Sequence, residues 1–243
     1  NMASEYLDER DEELLAWIIN NLATTPKLLS TYSYGRKEWK CEAVENSLFP
    51  AQKEKRKELF GKLVEVAKFI GNKNHEYTGN PFAFTSVTLS NERVIRCLIS
   101  IAGYDMDRDM IDELHQLVAM MDVDARRAFY VNLMQPETVQ IHREYLREAL
   151  DDRSVHVKEL AVARLSACNL LEDDLKALAR SLRSKSSSLR KSVITIFTAQ
   201  KIEKMVPVVE ELLVSGEENQ IQAGIELLLS MKKEHPEIID GQK

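Results

Sequence analysis

Cysteine is scarce in this chain: Cys41, Cys97 and Cys168 are the three among 243 residues. An odd, widely spaced set with no Cys-x-x-Cys excludes a disulfide framework and a zinc ribbon. The three read as reduced thiols, with Cys97 and Cys168 expected in packed cores. Eight glycines and six prolines are too few for a collagen-like or low-complexity chain. Long apolar runs are missing as well. Runs such as 98–101 and 227–230 fall far short of the ~18–20 residues that cross a bilayer. The acidic amino end excludes a secretory leader, so the expected location is cytoplasmic, with no membrane partner. Asn1 precedes Met2, an order compatible with an added first residue and with a segment cut from a longer protein.

A surplus of positive charge is also lacking. The net charge is −6, from 33 Lys and Arg against 39 Asp and Glu. General affinity for nucleic acid needs a clustered positive surface that displaces counterions, so nucleic acid is an unfavoured partner and only a local basic face is left open.

What the chain does have is helix-forming residues in a repeating order. Val157, Ala161 and Leu165 recur every fourth residue and mark one apolar face of a helix. About 32 residues later the same stripe returns as Leu189, Val193 and Phe197, then as Ile221, Ile225 and Leu229. It is preceded by Ala125, Phe129 and Leu133, and earlier by Val94, Leu98 and Ile101. Partner helices keep the step: Leu114 and Val118, Leu146 and Leu150, Leu178 and Leu182, then Val209 and Leu213 with a slip of one. Ser90 with Asn91, Ser154, and Ser186 to Ser188 stand where they can cap the helices that follow. Pro136 falls at a helix start, Gly103 and Gly216 after helix ends. Pro207 predicts either a kink or a helix beginning only near Val206.

This pattern predicts an all-α fold. Residues 85–243 form the repeats, packed as one continuous solenoid, and residues 1–84 an irregular helical cap. In the cap, Leu14, Leu15, Ile18, Ile19 and Leu22 mark one helix, and Leu59, Phe60, Leu63, Val66, Ala67 and Ile70 another, beginning near Pro50. Loops are expected at 33–49 and 71–82. The last stripe leaves Ile225 and Leu228 uncovered unless the tail at 236–239 folds back, which points to truncation or a dimer contact.

Over residues 91–232 the turns resemble those of the HEAT and armadillo-like α–α repeat families. The likeness is best at 151–165, with a turn Asp, the pair Val157-Lys158, then Ala161 and Leu165. The resemblance implies a right-handed α–α superhelix whose second helices line a concave, partner-binding face. It also implies an alternative, a HEAT-like nucleic-acid-binding protein or DNA glycosylase.

The period aligns Arg126, Lys158, Arg190 and Gln222, and beside them Arg127, Glu159, Lys191 and Ala223. Arg126, Arg127, Lys158, Arg190 and Lys191 therefore form a candidate strip for an acidic peptide or protein. The competing expectation is a structural ladder in which this column pairs with neighbouring turns. Arg180, Arg183 and Lys185 read as a solvated helix end, and Lys53, Lys55, Arg56 and Lys57 as an ordinary exposed first turn. His75-Glu76 stands alone, and the other histidines, His115, His142, His156 and His235, are assigned to polar faces. No G-x-S-x-G, G-x-x-x-x-G-K or G-x-G-x-x-G occurs. The sequence thus offers no catalytic residue, metal or cofactor, and predicts a non-catalytic scaffold that binds protein or peptide through the concave face.

Overall fold

A computed structural model describes residues 6–23, 27–33, 36–42, 50–78 and 86–234. The tail at 236–239 lies outside them. The chain is mostly helical and divides into two compact units, Asn1–Thr138 and Val139–Lys243. The helices expected to repeat are shared between both.

Unit 1 contains α1 (Glu12–Ala23), α2 (Lys53–Ile70), α3 (Asn91–Asp105), α4 (Arg108–His115) and α5 (Val123–Leu133), with a 3-10 turn at Val118–Met120. It also contains two antiparallel hairpins that the all-α expectation missed. Strands β1 (Lys27–Ser33) and β2 (Arg36–Glu42) pair from Lys27 opposite Glu42 to Ser33 opposite Arg36. Strands β3 (Asn74–Thr78) and β4 (Ser86–Ser90) pair from Asn74 opposite Ser90 to Thr78 opposite Ser86. Each segment expected as a loop therefore carries a strand. The β4 sequence alternates in the manner of a half-covered strand: Val87 and Leu89 are buried, Ser86 is exposed and Thr88 half-buried.

Helix α3 is the centre of unit 1, packed by α1, α2, α4, α5, β2 and β4. It has a broad apolar face, with Val94, Ile95, Leu98, Ile99, Ile101 and Ala102 all buried, while Glu92 and Arg96 pair on its open side. Ser90 caps its start through the Arg93 amide at 3.4 Å. Gly103 lies inside α3, and the left-handed stop comes at Met106, with φ 46°. The two stripes expected in the cap are present: α1 buries Leu15, Ile19 and Leu22, and α2 buries all six of its predicted residues.

The short helix α6 (Pro136–Val139) falls at the division. Unit 2 then holds α7 (Arg143–Ala149), α8 (Val155–Ser166), α9 (Glu172–Ser181), α10 (Ser187–Thr198), α11 (Ile202–Val214) and α12 (Glu218–Glu234). They pack as successive pairs: α7 on α8, α9 on α10, α11 on α12. One layer is continuous, since α8 touches α10 and α10 touches α12, while α7 touches α9 beside it.

The period places the core correctly in four copies, the Val94, Leu98 and Ile101 stripe of α3 among them. Ala125, Phe129 and Leu133 are 0–3% exposed, and Val157, Ala161, Leu165, Leu189, Val193 and Phe197 are fully buried. In α12 the face is rotated. Gln220, Ala223, Leu227 and Met231 are buried, whereas Ile225 and Leu229 are 46% and 61% exposed. Gly224 accounts for the rotation. A Cβ there would lie 3.1 Å from Leu212 and Leu213, so α12 turns its smallest residues toward α11. In the partner helices Val118 and Leu213 are only half-buried, and Leu117 and Leu212 take their places in the core. Helix α11 begins at Ile202 and runs through Pro207. The amide that Pro207 lacks would have met the Glu203 carbonyl, and both residues lie on the exposed side of the helix.

Leu165→Ala and Phe197→Ala should each cost about 2–5 kcal/mol in urea unfolding. Leu227→Ala should fall in the same range, while Leu229→Ala changes stability by less than ~0.5 kcal/mol. Equal losses at 227 and 229 would contradict the rotated face.

Candidate functional site

The fourth residue of several helices is a cation: Arg56 in α2, Arg126 in α5, Lys158 in α8 and Arg190 in α10. From that position a long side chain can reach back over the helix start to the loop before it. Arg126 Nη1 donates to the Met121 carbonyl at 2.7 Å. Arg190 Nη1 donates to the Ser184 carbonyl at 2.9 Å, and its Nε lies 3.7 Å from Glu226. Arg56 Nη1 donates to the carbonyls of Pro50 and Ala51 at 3.0 and 2.6 Å. Burial of an unpaired carbonyl costs about 1–3 kcal/mol, and a guanidinium with five donors removes that cost at a turn.

The five strip residues are accordingly unalike. Arg126 and Arg190 are 4% and 5% exposed and turned to loop carbonyls, not open to solvent. Arg127 is half-buried, 3.6 Å from Asp124. Lys158 is half-buried and Lys191 exposed, neither with an ion pair among the described residues. Arg126 and Arg127 belong to unit 1; Lys158, Arg190 and Lys191 belong to unit 2.

The run at Lys53, Lys55, Arg56 and Lys57, expected to be an exposed first turn, is the densest ion cluster in unit 1. Arg56 is buried, forks onto Asp105 at 2.9 and 2.6 Å, and lies over the Tyr104 ring at 4.7 Å. The Asp105 carboxylate raises the guanidinium pKa further, against burial. Lys53 and Lys57 reach Asp107 at 3.0 and 2.9 Å. Burial alone would raise the Asp107 carboxyl, but the ammonium groups of Lys57 and Lys53 outweigh it and hold it at about 2. The signal available in the sequence was Asp105, the last residue of α3, and Asp107, just before α4, an acidic pair awaiting cations. This cluster ties α2 to the end of α3 and the start of α4.

Unit 2 has a counterpart. Asp174, fully buried, accepts from the Leu171 amide at 2.9 Å and from Arg143, whose Nη1 also donates to the Asn169 carbonyl at 3.0 Å. Arg147 stands 3.6 Å from the same carboxylate. His142, assigned to a polar face, is instead buried and stacks on Tyr145 at 5.1 Å. Tyr130 is likewise in the core, edge-on to Phe129. His75 lies in β3, edge-on to Tyr77 at 4.6 Å. Cys97 is buried, and desolvation pushes its thiol up to about 12, so it is inert at neutral pH. Cys168, expected in a core, is half-exposed at a cleft.

That cleft, about 600 Å³, runs between α8 and α10. Val162, Ala163 and Ile196 form its apolar floor, with Glu159, Ser192 and Thr195 among the polar groups around it. Ser192 and Thr195 donate to carbonyls of their own helix at 3.1 and 2.9 Å, so their oxygens are left as acceptors. The arrangement can accept hydrogen bonds and cover apolar side chains.

The class of protein these features define is a mostly helical one, built of paired helices whose turns are fixed by internal cations. Residues 1–242 match a family of unknown function (DUF5724), and the chain belongs to that family. This corrects the resemblance to HEAT and armadillo-like repeats: one family spans the chain, amino-terminal third included, and neither repeat family is matched. Unit 2 does stack short helix pairs, and a repeating step of this kind is set by the length of a stacked pair and not by membership of one family. No curated protein and no solved structure matches the chain. Among the described residues no helix is long and apolar enough to cross a membrane.

The Asp107 carboxyl gives a pH test. Its ordinary value, 3.8, falls to about 2 in the folded chain, so it adds stability above the unfolded value that is lost as pH drops through the folded one. With the flanking lysines 48% and 42% exposed, solvent screening leaves about 1–2 kcal/mol. Asp107→Asn should lower the unfolding free energy measured in urea by that much at neutral pH, and the gap from the parent should close near pH ~2. A gap that is unchanged at low pH would assign the loss to packing.

Proposed function

We propose that unit 2 is a short right-handed stack of helix pairs that binds an extended, acidic segment of a partner protein, without catalysis, in the α8–α10 cleft. The observation that carries this is the cleft itself, an apolar floor rimmed by oxygen acceptors. Peptide amides can donate to the Ser192 and Thr195 oxygens while apolar side chains cover Val162 and Ile196. Lys158 and Lys191 immediately precede Glu159 and Ser192, which line the cleft, and are the strip's uncommitted cations. They supply the preference for acidic side chains. Arg190 serves this surface from beneath by fixing the turn into α10.

Fluorescence anisotropy against a panel of labelled Asp- and Glu-rich peptides with one apolar anchor tests the proposal. Lys191→Glu and Lys158→Glu should each weaken binding roughly 3- to 10-fold at low salt, and much less at high salt. Ala163→Trp, a change at an exposed floor residue, should abolish binding with melting unchanged. Binding indifferent to all three substitutions would refute the assignment.

A further inference from the structure

Helix α12 has two apolar faces, and its own unit covers one of them. Toward α10 and α11 it buries Gln220, Ala223, Leu227 and Met231. On the opposite side Ile225, Leu228 and Leu229 are 46%, 41% and 61% exposed, with Ile221 half-buried beside them. At 100° per residue, Glu218, Ile221, Ile225, Leu228 and Lys232 fall on one line. Their spacing of three, four, three and four is the a/d seam of a coiled coil. Ordinary surface helices carry polar residues there.

The order of residues along this seam identifies its occupant. Glu218 stands seven residues before Ile225 and Lys232 seven after; Ile221 stands four before and Leu229 four after. The face is thus acidic at its first turn, apolar in the middle and basic at its last turn; Leu229, which flanks the seam beside Leu228, balances Ile221 about Ile225. Glu218 and Lys232 are both exposed. A face arranged in this way is complementary to itself when reversed.

We propose that α12 is a self-association surface, on which a second copy of this chain docks its own α12 antiparallel across a twofold axis at Ile225. Ile225 then meets Ile225 of the other copy, and Ile221 meets Leu229. A shallow groove of about 440 Å³, lined by Gly216, Ile221 and Ile225 among others, lies on this face and receives the opposing leucine. Glu218 pairs with Lys232 twice over, once at each end. A parallel arrangement would set Glu218 on Glu218 and Lys232 on Lys232, and the like charges reject it. Exposed ion pairs are individually weak, so the apolar centre supplies the affinity and the charges set the orientation. A single helix about 25 Å long gives an interface at the small end of the range, hence a reversible, micromolar dimer.

The test is sedimentation equilibrium on the full 243-residue chain, with melting recorded in parallel. The parent should show a monomer–dimer equilibrium. Ile225→Asp should weaken it by about tenfold or more without lowering the melting temperature, because position 225 is exposed. Glu218→Lys and Lys232→Glu should each weaken it several-fold. The double reversal, Glu218→Lys with Lys232→Glu, should restore it, since the pairing is then re-formed with its signs exchanged. A monomer at every concentration overturns the proposal. If Ile225→Asp also destabilises that monomer, the face belongs to residues 235–243 of the same chain. A dimer indifferent to Ile225→Asp, or a double reversal no better than either single change, overturns it equally. In the last case the seam faces a different partner or lies parallel.

Discussion

The packing of this protein depends on how the chain between helices is satisfied. A carbonyl in a turn that packing shields from water must find a donor, because a buried, unpaired acceptor is costly. Arg56, Arg126 and Arg190 answer this alike: from the fourth helical position the guanidinium folds back and donates to the carbonyl of the loop it has just left. Arg143 uses a different route: from the first position of α7 it reaches forward to the later loop, bonding the Asn169 carbonyl and Asp174. A guanidinium stays charged at any accessible pH and has donors to spare, so one residue satisfies a turn and still reaches an acid on the next helix. Arg56 reaches Asp105, and Arg190 approaches Glu226.

With the turns fixed, the two units solve the burial of apolar surface differently. Unit 1 wraps a central helix, α3, which has a broad apolar face, and uses two hairpins as part of the wrapping. Unit 2 repeats a pair, so each helix has one face for its predecessor and one for its successor. The consequence is felt at α12, where a face suited to a successor meets none among the described residues and keeps its leucines and isoleucines exposed.

Much of the helical layout was legible because period is a local property of the sequence. The stripes at Phe129, Leu165 and Phe197 and the cap helices at Leu15 and Leu63 are buried as the spacing implies. The strands were missed for an identifiable reason: each is short, lies between stronger helical signals, and gains its stability from a partner strand elsewhere. The alternation through Ser86, Val87, Thr88 and Leu89 was nonetheless there to be seen. The rotation of α12 was hidden because Ile225 and Ala223 suit a core equally, and the choice is made by Gly224 closing on Leu212. The candidate strip divided for a deeper reason. Arg190 and Lys191 are equivalent as counted charges, and only the carbonyl of Ser184 distinguishes a buried anchor from an exposed contact. The family likeness misled because a repeating helix-pair step reports stacking and does not name a family.

The buried-cation account is tested most directly by replacing the fourth-position cations with methionine, which keeps the apolar stem and removes the donors. Unfolding of Arg126→Met and Arg190→Met should each lose roughly 2–4 kcal/mol, because a loop carbonyl is left buried and unpaired. Lys158→Met, at the same position in α8 but without such a bond among the described residues, should stay within about 0.5 kcal/mol of the parent. Similar effects at all three positions would contradict the claim that the guanidinium-to-loop bond, and not the position itself, holds the helix pairs together.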